Sequence, residues 1–290
     1  MSSATGAAPG PVSSDLLQQS LTLVTEQVSY LKNVVGDVTC VGLDEDPALA
    51  LQSGEWFSCA DFVDNPEWLA RVITECGRIL ETENRVVAAS LFVQGYAYRV
   101  LTPAVACLVV NGVVPTAEPE TTAVAFSRGR ASKMAYRSGA CRDLSGRTTA
   151  GRDALATRHR ADASLRAVLE LVIEDHLEAL IRSVRREIRV GERLLWGNVA
   201  ASASTAFRTM EGCLGSWIEP LGERFFELAP TYLRGLGSFV TLEAHGRHGW
   251  FWERTNCCLY DRLPAATRCG DCSRTPALER RAAYEKSLEH

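Results

Sequence analysis

The sequence predicts a mainly α protein with a small β component (α+β), in which a helical core carries a C-terminal cysteine-rich loop. Three observations support this. Apolar residues recur at helical spacing over long stretches, most clearly 162–189, where Leu165, Leu169, Val172, His176, Leu180, Val184 and Ile188 share one face. Runs rich in β-branched residues are few and short, Val105–Val114 and Thr122–Phe126. Glycines at 235, 237, 246 and 249 then mark a change to turns and short strands just ahead of the cysteines.

In chain order, residues 1–14 are an Ala/Gly/Pro/Ser tail, too poor in apolar groups to order itself. Asp15 opens an amphipathic helix with Leu17, Leu21, Val24, Val28 and Leu31 on one side, and Asp15 with Gln18 makes a capping box. A loop-rich segment follows, with Cys40 and the acidic Asp44-Glu45-Asp46. Asn65-Pro66 starts the next helix, because Asn caps it and Pro has no N–H to leave unpaired at the first position. Leu69, Val72, Ile73, Cys76, Ile79 and Leu80 line its inner face. A second helix over Asn84–Leu101 is apolar all round and belongs inside the core, with Pro103 expected to break it. Beyond Pro103, Val105–Val114 and Thr122–Phe126 read as a hairpin, with a further helix over Ala104–Asn111 as the competing reading.

Ser127–Gly151 is rich in Ser, Gly, Thr and Arg and is read as a loop or irregular strand pair. Its Arg128, Arg130, Lys133, Arg137, Arg142 and Arg147 form either a solvated surface or a docking face for an anionic partner. It is taken as the boundary between an N-terminal part, 15–150, and a C-terminal part, 151–287, whose 250–273 segment carries the cysteines. Helices are expected over Asp162–Arg189, from Leu194 through the small residues to Ala203, and over Pro220–Leu233. Leu288-Glu289-His290 reads as the remnant of an affinity tag.

Composition narrows the function. Of 290 residues 46% are hydrophobic and 23% charged, enough for an ample core. A net charge of −4 and a pI near 5.8 argue against a general nucleic-acid binder. The longest apolar region, Val86–Val114, is interrupted by Gln94, Arg99, Pro103 and Asn111, so no transmembrane segment is expected. Residues 1–14 lack the basic start and apolar run of a secretory signal. Cys40, Cys59, Cys76, Cys107, Cys141 and Cys213 are scattered as core cysteines are, which suits a reducing, cytoplasmic setting. Neither a G-x-G-x-x-G after a strand nor a Walker-type Gly-Lys-Ser/Thr is present.

The remaining four of the ten cysteines fall within sixteen residues as C-C-x10-C-x2-C: Cys257, Cys258, Cys269 and Cys272. Four thiols so close suit a metal centre. Gly270, inside the Cys-x-x-Cys turn, is expected at positive φ to aim groups at the metal. A closed four-thiolate zinc site is one reading, though an adjacent Cys-Cys fills one tetrahedron awkwardly. A two-iron cluster, where neighbouring thiolates reach different irons, is a second, and two disulfides are a third. His245 and His248, at i, i+3 in a Gly-rich turn, are minor candidate ligands.

The segment Arg254-Thr255-Asn256-Cys257-Cys258-Leu259-Tyr260-Asp261-Arg262-Leu263-Pro264, followed by Cys269-Gly270-Asp271-Cys272, resembles the C-terminal hallmark of the ferric siderophore reductases of the FhuF type. Leu195-Trp196-Gly197-Asn198 is similar to a family feature upstream. The resemblance is strong over Leu194–Cys272 and thin before it. It implies a [2Fe–2S] cluster on Cys257, Cys258, Cys269 and Cys272 and one-electron reduction of a ferric siderophore. The electron would come from an external donor, either a ferredoxin-like protein or a soluble reductant. Asp271 would add negative charge beside the cluster, and Arg254 is the candidate contact for an anionic substrate. The family often carries two basic residues before the cysteine pair, whereas here Thr255 stands at the second. The alternative from another class is a zinc-stabilised, non-redox binding or accessory protein in siderophore metabolism.

Overall fold

Capping residues set where the first helices begin. The computed structural model describes residues 14–28, 39–40, 56–127, 130–136, 141–144, 154–264 and 266–289. Helix α1 (Ser14–Gln27) leads to Val28, and Leu17, Leu21, Val24 and Val28 are buried as the spacing predicts. The predicted tail up to residue 13, Leu31, the 44–46 acidic stretch, Arg128, Arg137 and Arg147 lie outside the described residues, as do the side chains of Asp15 and Lys133. Strands β1 (Thr39–Cys40) and β2 (Trp56–Ser58) precede a short helix, α2 (Cys59–Asp64). Asn65 then caps α3 (Pro66–Ile79), its Oδ1 accepting the N–H groups of Glu67 and Trp68 at 3.1 and 3.2 Å. Asn84 repeats the device on α4 (Arg85–Asn111), accepting from Val86 and Val87 at 3.0 and 3.3 Å. Each such cap contributes about 1 kcal/mol.

Helix α4 does not break at Pro103; it runs on to Asn111. A proline inside a helix costs about 3 kcal/mol by removing one N–H and crowding the preceding turn. Every residue from Val100 to Leu108 is buried here, and each large apolar side chain so placed contributes about 1.5–3 kcal/mol. Burial wins. The helix ends instead at Gly112, whose φ of +71° lets its N–H turn back to the Leu108 carbonyl at 2.9 Å. The expected hairpin of Val105–Val114 with Thr122–Phe126 therefore does not form, and the helical reading of Ala104–Asn111 holds. Strand β3 (Val113–Pro115) pairs with β6 (Cys141–Asp143), while β4 (Thr122–Ser127) pairs with β5 (Arg130–Tyr136) and β2. The larger sheet has the order β1-β5-β4-β2, with β1 parallel to β5 and the other pairs antiparallel.

The long predicted helix starts earlier than Asp162, as α5 (Ala154–Val168), widens to π geometry over Leu169–Leu177, and continues as α6 (Glu178–Glu187). His176, in the π stretch, is fully buried. Its Nδ1–H donates to the Ala117 carbonyl, and its Nε2 lies 2.8 Å from the Tyr96 hydroxyl, which is 3.3 Å from Cys59 Sγ. Helix α7 (Glu192–Leu214) lies along α4. Its small residues, Ala200, Ala201, Ser202 and Ala203, allow the close approach, and Ser202 Oγ donates to the Gln94 carbonyl at 2.8 Å. Helix α8 (Glu219–Leu228) follows, then a hairpin of β7 (Gly237–Ala244) and β8 (Arg247–Arg254). A final helix, α9 (Ala277–Ser287), was not anticipated.

Among the scattered cysteines, Cys59, Cys76, Cys107 and Cys141 are buried as expected, and Cys213 is exposed near the end of α7. The side chain of Cys40 lies outside the described residues. Helix α4 is long and apolar enough to cross a membrane, but 67% of its most apolar window is buried within the protein.

Candidate metal centre

The hairpin delivers the cysteine loop to the side of α4 and α7. Trp250 and Trp252 on β8 are buried, stacked on Phe239 and Phe226 at 3.8 and 4.5 Å. That anchoring fixes where β8 ends, at Arg254. The next turn is strained in a specific way: Leu259 sits at a φ of +68°, in the left-handed region, where a non-glycine residue pays roughly 1 kcal/mol. The conformation turns the Leu259 N–H onto Cys257 Sγ at 3.3 Å, and the Tyr260 N–H faces the sulfur of Cys258. Positive φ was expected at Gly270; it falls at Leu259 instead, and Gly270 has open space around it.

Beneath the loop lies a buried polar chain. Ser90 Oγ, on α4, donates to the Cys258 carbonyl at 2.7 Å. Asn198, on α7, donates through Nδ2 to the carbonyl and hydroxyl of Ser90 at 2.7 and 2.8 Å, and its Oδ1 accepts from Arg254 Nη2. Arg254 also donates to the Gly197 carbonyl at 3.2 Å. Gly197 has a steric role: a Cβ there would stand 1.9 Å from Asn256 Nδ2, so only glycine lets Asn256 lie against the helix. Trp196 packs on Tyr232 at 4.3 Å between ring centres. Gly197 and Asn198 are thus used to seat or brace the cysteine loop.

The sulfurs are held unequally. Cys258 Sγ lies 3.6 Å from Cys269 Sγ, far beyond a disulfide bond, and all four loop cysteines are free. Two thiolates about 2.3 Å from one tetrahedral metal stand roughly 3.8 Å apart, so this pair already has the spacing of a shared metal. Cys257 instead lies 3.5 Å from Asp261 Oδ1. Among the described residues no three His, Cys, Asp or Glu side chains converge as tightly as a metal's ligands. A hydrogen bond from Cys269, the charge of Arg254 and the Tyr260 N–H hold Cys258 below the usual thiol range, against the effect of burial. Cys269, which keeps the shared proton, is pushed up. Burial and the Asp261 carboxylate push Cys257 up, with the Leu259 N–H opposing them.

Arg254 is a buried cation with donors left over. Its side chain has no exposed surface, its Nε is 3.8 Å from Asp271 Oδ2, and its Nε and Nη1 lack a hydrogen-bond partner. A buried guanidinium left so under-paired costs several kcal/mol, and a negatively charged thiolate–metal group beside it removes that cost. The Cys258–Cys269 pair and Arg254 therefore have the donor chemistry that a metal–thiolate centre requires. Arg254, expected to contact an anionic substrate, has its side chain turned inward, bonded to Gly197 and Asn198 behind the loop. Thr255 is exposed and bonded to the turn before β7, its N–H to Leu236 and its hydroxyl to Gly235, at 3.0 and 3.2 Å. Asp271 is half-buried with its charge facing Arg254.

Helix α9 closes the loop from outside. Arg280 holds Glu253 in a two-pronged pair at 2.9 and 3.0 Å and also donates to the Cys272 carbonyl at 3.2 Å. Tyr284 donates to the Trp252 carbonyl at 3.2 Å and stacks on Phe251. Arg274 pairs with Asp261 at 2.6 Å. The Ala277-Leu278-Glu279-Arg280-Arg281-Ala282-Ala283 composition of good helix formers would have revealed α9, but Ser90, Arg280 and Tyr284 carried no sequence signal for their roles. His245 sits in the hairpin turn, and both ring nitrogens of His248 are taken by Glu243 and Glu219 at 2.6 Å.

Residues 90–234, half of the chain, match the family described as "Ferric iron reductase FhuF-like transporter". The matched stretch runs from within α4 to just before β7; it starts well upstream of Leu194 and stops short of the cysteine motif. No curated protein matches the chain. Among solved structures, it is similar to aerobactin synthetase IucC from a hypervirulent pathotype of Klebsiella pneumoniae, with 16% identity and a TM-score of 0.48. That likeness covers 76% of this chain, which spans 42% of the synthetase.

Proposed function

The chain belongs to the FhuF-like ferric iron reductase family, and from that premise we propose that it reduces ferric siderophore complexes through a [2Fe–2S] cluster on Cys257, Cys258, Cys269 and Cys272. The observation that carries the reading is the buried, under-paired Arg254 beside a Cys258–Cys269 pair already at 3.6 Å. Siderophores grip Fe(III) with hard oxygen donors and hold the less charged Fe(II) far more weakly, so one electron frees the metal. When bound, the cluster supplies single electrons at low potential.

The chain's own residues determine the setting. Cys258 and Cys269 form one thiolate pair, leaving Cys257 and Cys272 as the other. N–H groups of Leu259 and Tyr260 directed at sulfur, together with Arg254, stabilise negative charge there and raise the potential, while Asp271 opposes them. Ser90, Asn198 and Arg280 fix the loop backbone. Electrons come from an external donor, a ferredoxin-like protein or a soluble reductant, in the cytoplasm.

The visible spectrum of aerobically purified protein tests the reading. A brown protein, bleached by dithionite and holding two irons and two sulfides per chain, is the expected result. A colourless protein with stoichiometric zinc sinks it and favours a zinc-stabilised accessory protein.

A further inference from the structure

A half-open cavity of about 390 Å³ lies against the cysteine pair. Gly95 and Arg99 of α4, Arg130 at the start of β5, and Cys258, Tyr260 and Cys269 of the loop line it. Its volume falls in the range of small-molecule sites. It adjoins two of the four cysteines and, among the described residues, no carboxylate lines it. The geometry points to this cavity as the docking site for a ferric chelate that carries free negative charge, such as a carboxylate-bearing complex, seated against Arg99 and Arg130 within reach of Cys258 and Cys269. The assignment rests on the function proposed above and names its substrate class.

Charge and shape argue for that class. Arg99 is half-buried, its guanidinium carbon 5.5 Å from the centre of the Tyr98 ring, and Arg130 is exposed without an ion pair to any described residue. An uncharged tris-hydroxamate complex would strip water from the exposed Arg130 guanidinium and return little, whereas a carboxylate returns a charge-assisted, two-pronged hydrogen bond. Leu91 and Phe92 supply apolar wall, and Tyr260, 39% exposed, offers a ring to the organic part of the ligand. Arg130 belongs to the basic segment that the sequence left undecided between a solvated surface and a docking face.

Redox-inert gallium(III) complexes separate docking from electron transfer. Calorimetric titration of the full chain would use a citrate-based gallium complex with net negative charge and an uncharged gallium tris-hydroxamate. The anionic complex is expected to bind about tenfold or more tightly, and Arg130→Gln to lose about tenfold for it while leaving the neutral complex unchanged. In a second variant, Gly95→Leu, the new Cβ meets nothing within 4 Å, so the side chain fills the cavity without disturbing α4, and binding of the anionic complex should be lost. Equal affinity for the two complexes, or unchanged binding in both variants, overturns the assignment. The visible spectrum is read alongside. Charge-selective gallium binding by a colourless protein leaves the cavity standing and removes the reductase, whereas a brown protein whose variants bind both complexes as the unaltered chain does removes the cavity alone.

Discussion

Cys76, on α3, and Cys258, on the cysteine loop, line the same cavity and are almost equally buried, 1% and 2% exposed, yet their thiols are driven in opposite directions. On the α3 wall Cys76 has a distant contact to the Ala88 carbonyl, 3.9 Å away, and burial pushes it up to about 11. On the loop wall Cys258 meets its partner Cys269, a buried guanidinium and a backbone N–H, and is held below the usual thiol range. Burial alone makes a thiol inert. Donors converging on it, with a cation behind them, favour the thiolate, the form a metal ligand needs.

The largest effect should come from serine at the two positions in turn. Cys258→Ser is expected to abolish the visible absorbance while far-UV helicity stays nearly intact; Cys76→Ser should leave the spectrum unchanged. Collapse of helicity in Cys258→Ser would mean that the metal holds the fold together rather than serving it.

Asn198→Ala sharpens the comparison by removing what makes the loop wall different. It strands Ser90 and Arg254 in the interior, so a loss of about 3 kcal/mol in denaturant unfolding is expected, with faster loss of metal to a chelator. Metal release at the normal rate would separate the polar chain from the site.

The core offers a further test in His176, which burial lowers to about 4. Because its folded value lies below the unfolded 6.5, the unfolded chain takes up the proton first. Stability is full above about pH 6.5 and falls as the pH drops towards 4, by about 2 kcal/mol at pH 5 from this residue. His176→Gln should flatten that slope, as read from unfolding midpoints between pH 5 and 7. The smallest effect belongs to the exposed Glu178–Arg182 pair, 3.1 Å apart: Glu178→Gln should shift stability by less than about 0.5 kcal/mol.

Much of this molecule was legible from local pattern. The Asn65 cap, the buried face of α1, the small residues of α7 and the clustering of four cysteines depend on residues a few positions apart, which periodicity and turn chemistry report directly. The fate of Pro103 was not legible, because its local penalty is overturned by the burial of neighbours that only the assembled core supplies. Nor was the role of Arg254. As a sequence it is one basic residue before a cysteine pair, equally suited to greet a ligand or to brace a loop. Asn198, distant along the chain, and Gly197, which lets Asn256 lie flat, turn it inward.

The sequence by itself determined that four thiols would cluster along the chain near its C-terminal end and that a mainly helical core would carry them. Only the tertiary structure decided which thiols are poised, because that depends on Ser90 and Asn198 from two packed helices, on Arg280 from a third, and on the field of one buried guanidinium. Electrostatic setting is a property of distance in space, and sequence spacing encodes it only when the groups are neighbours along the chain.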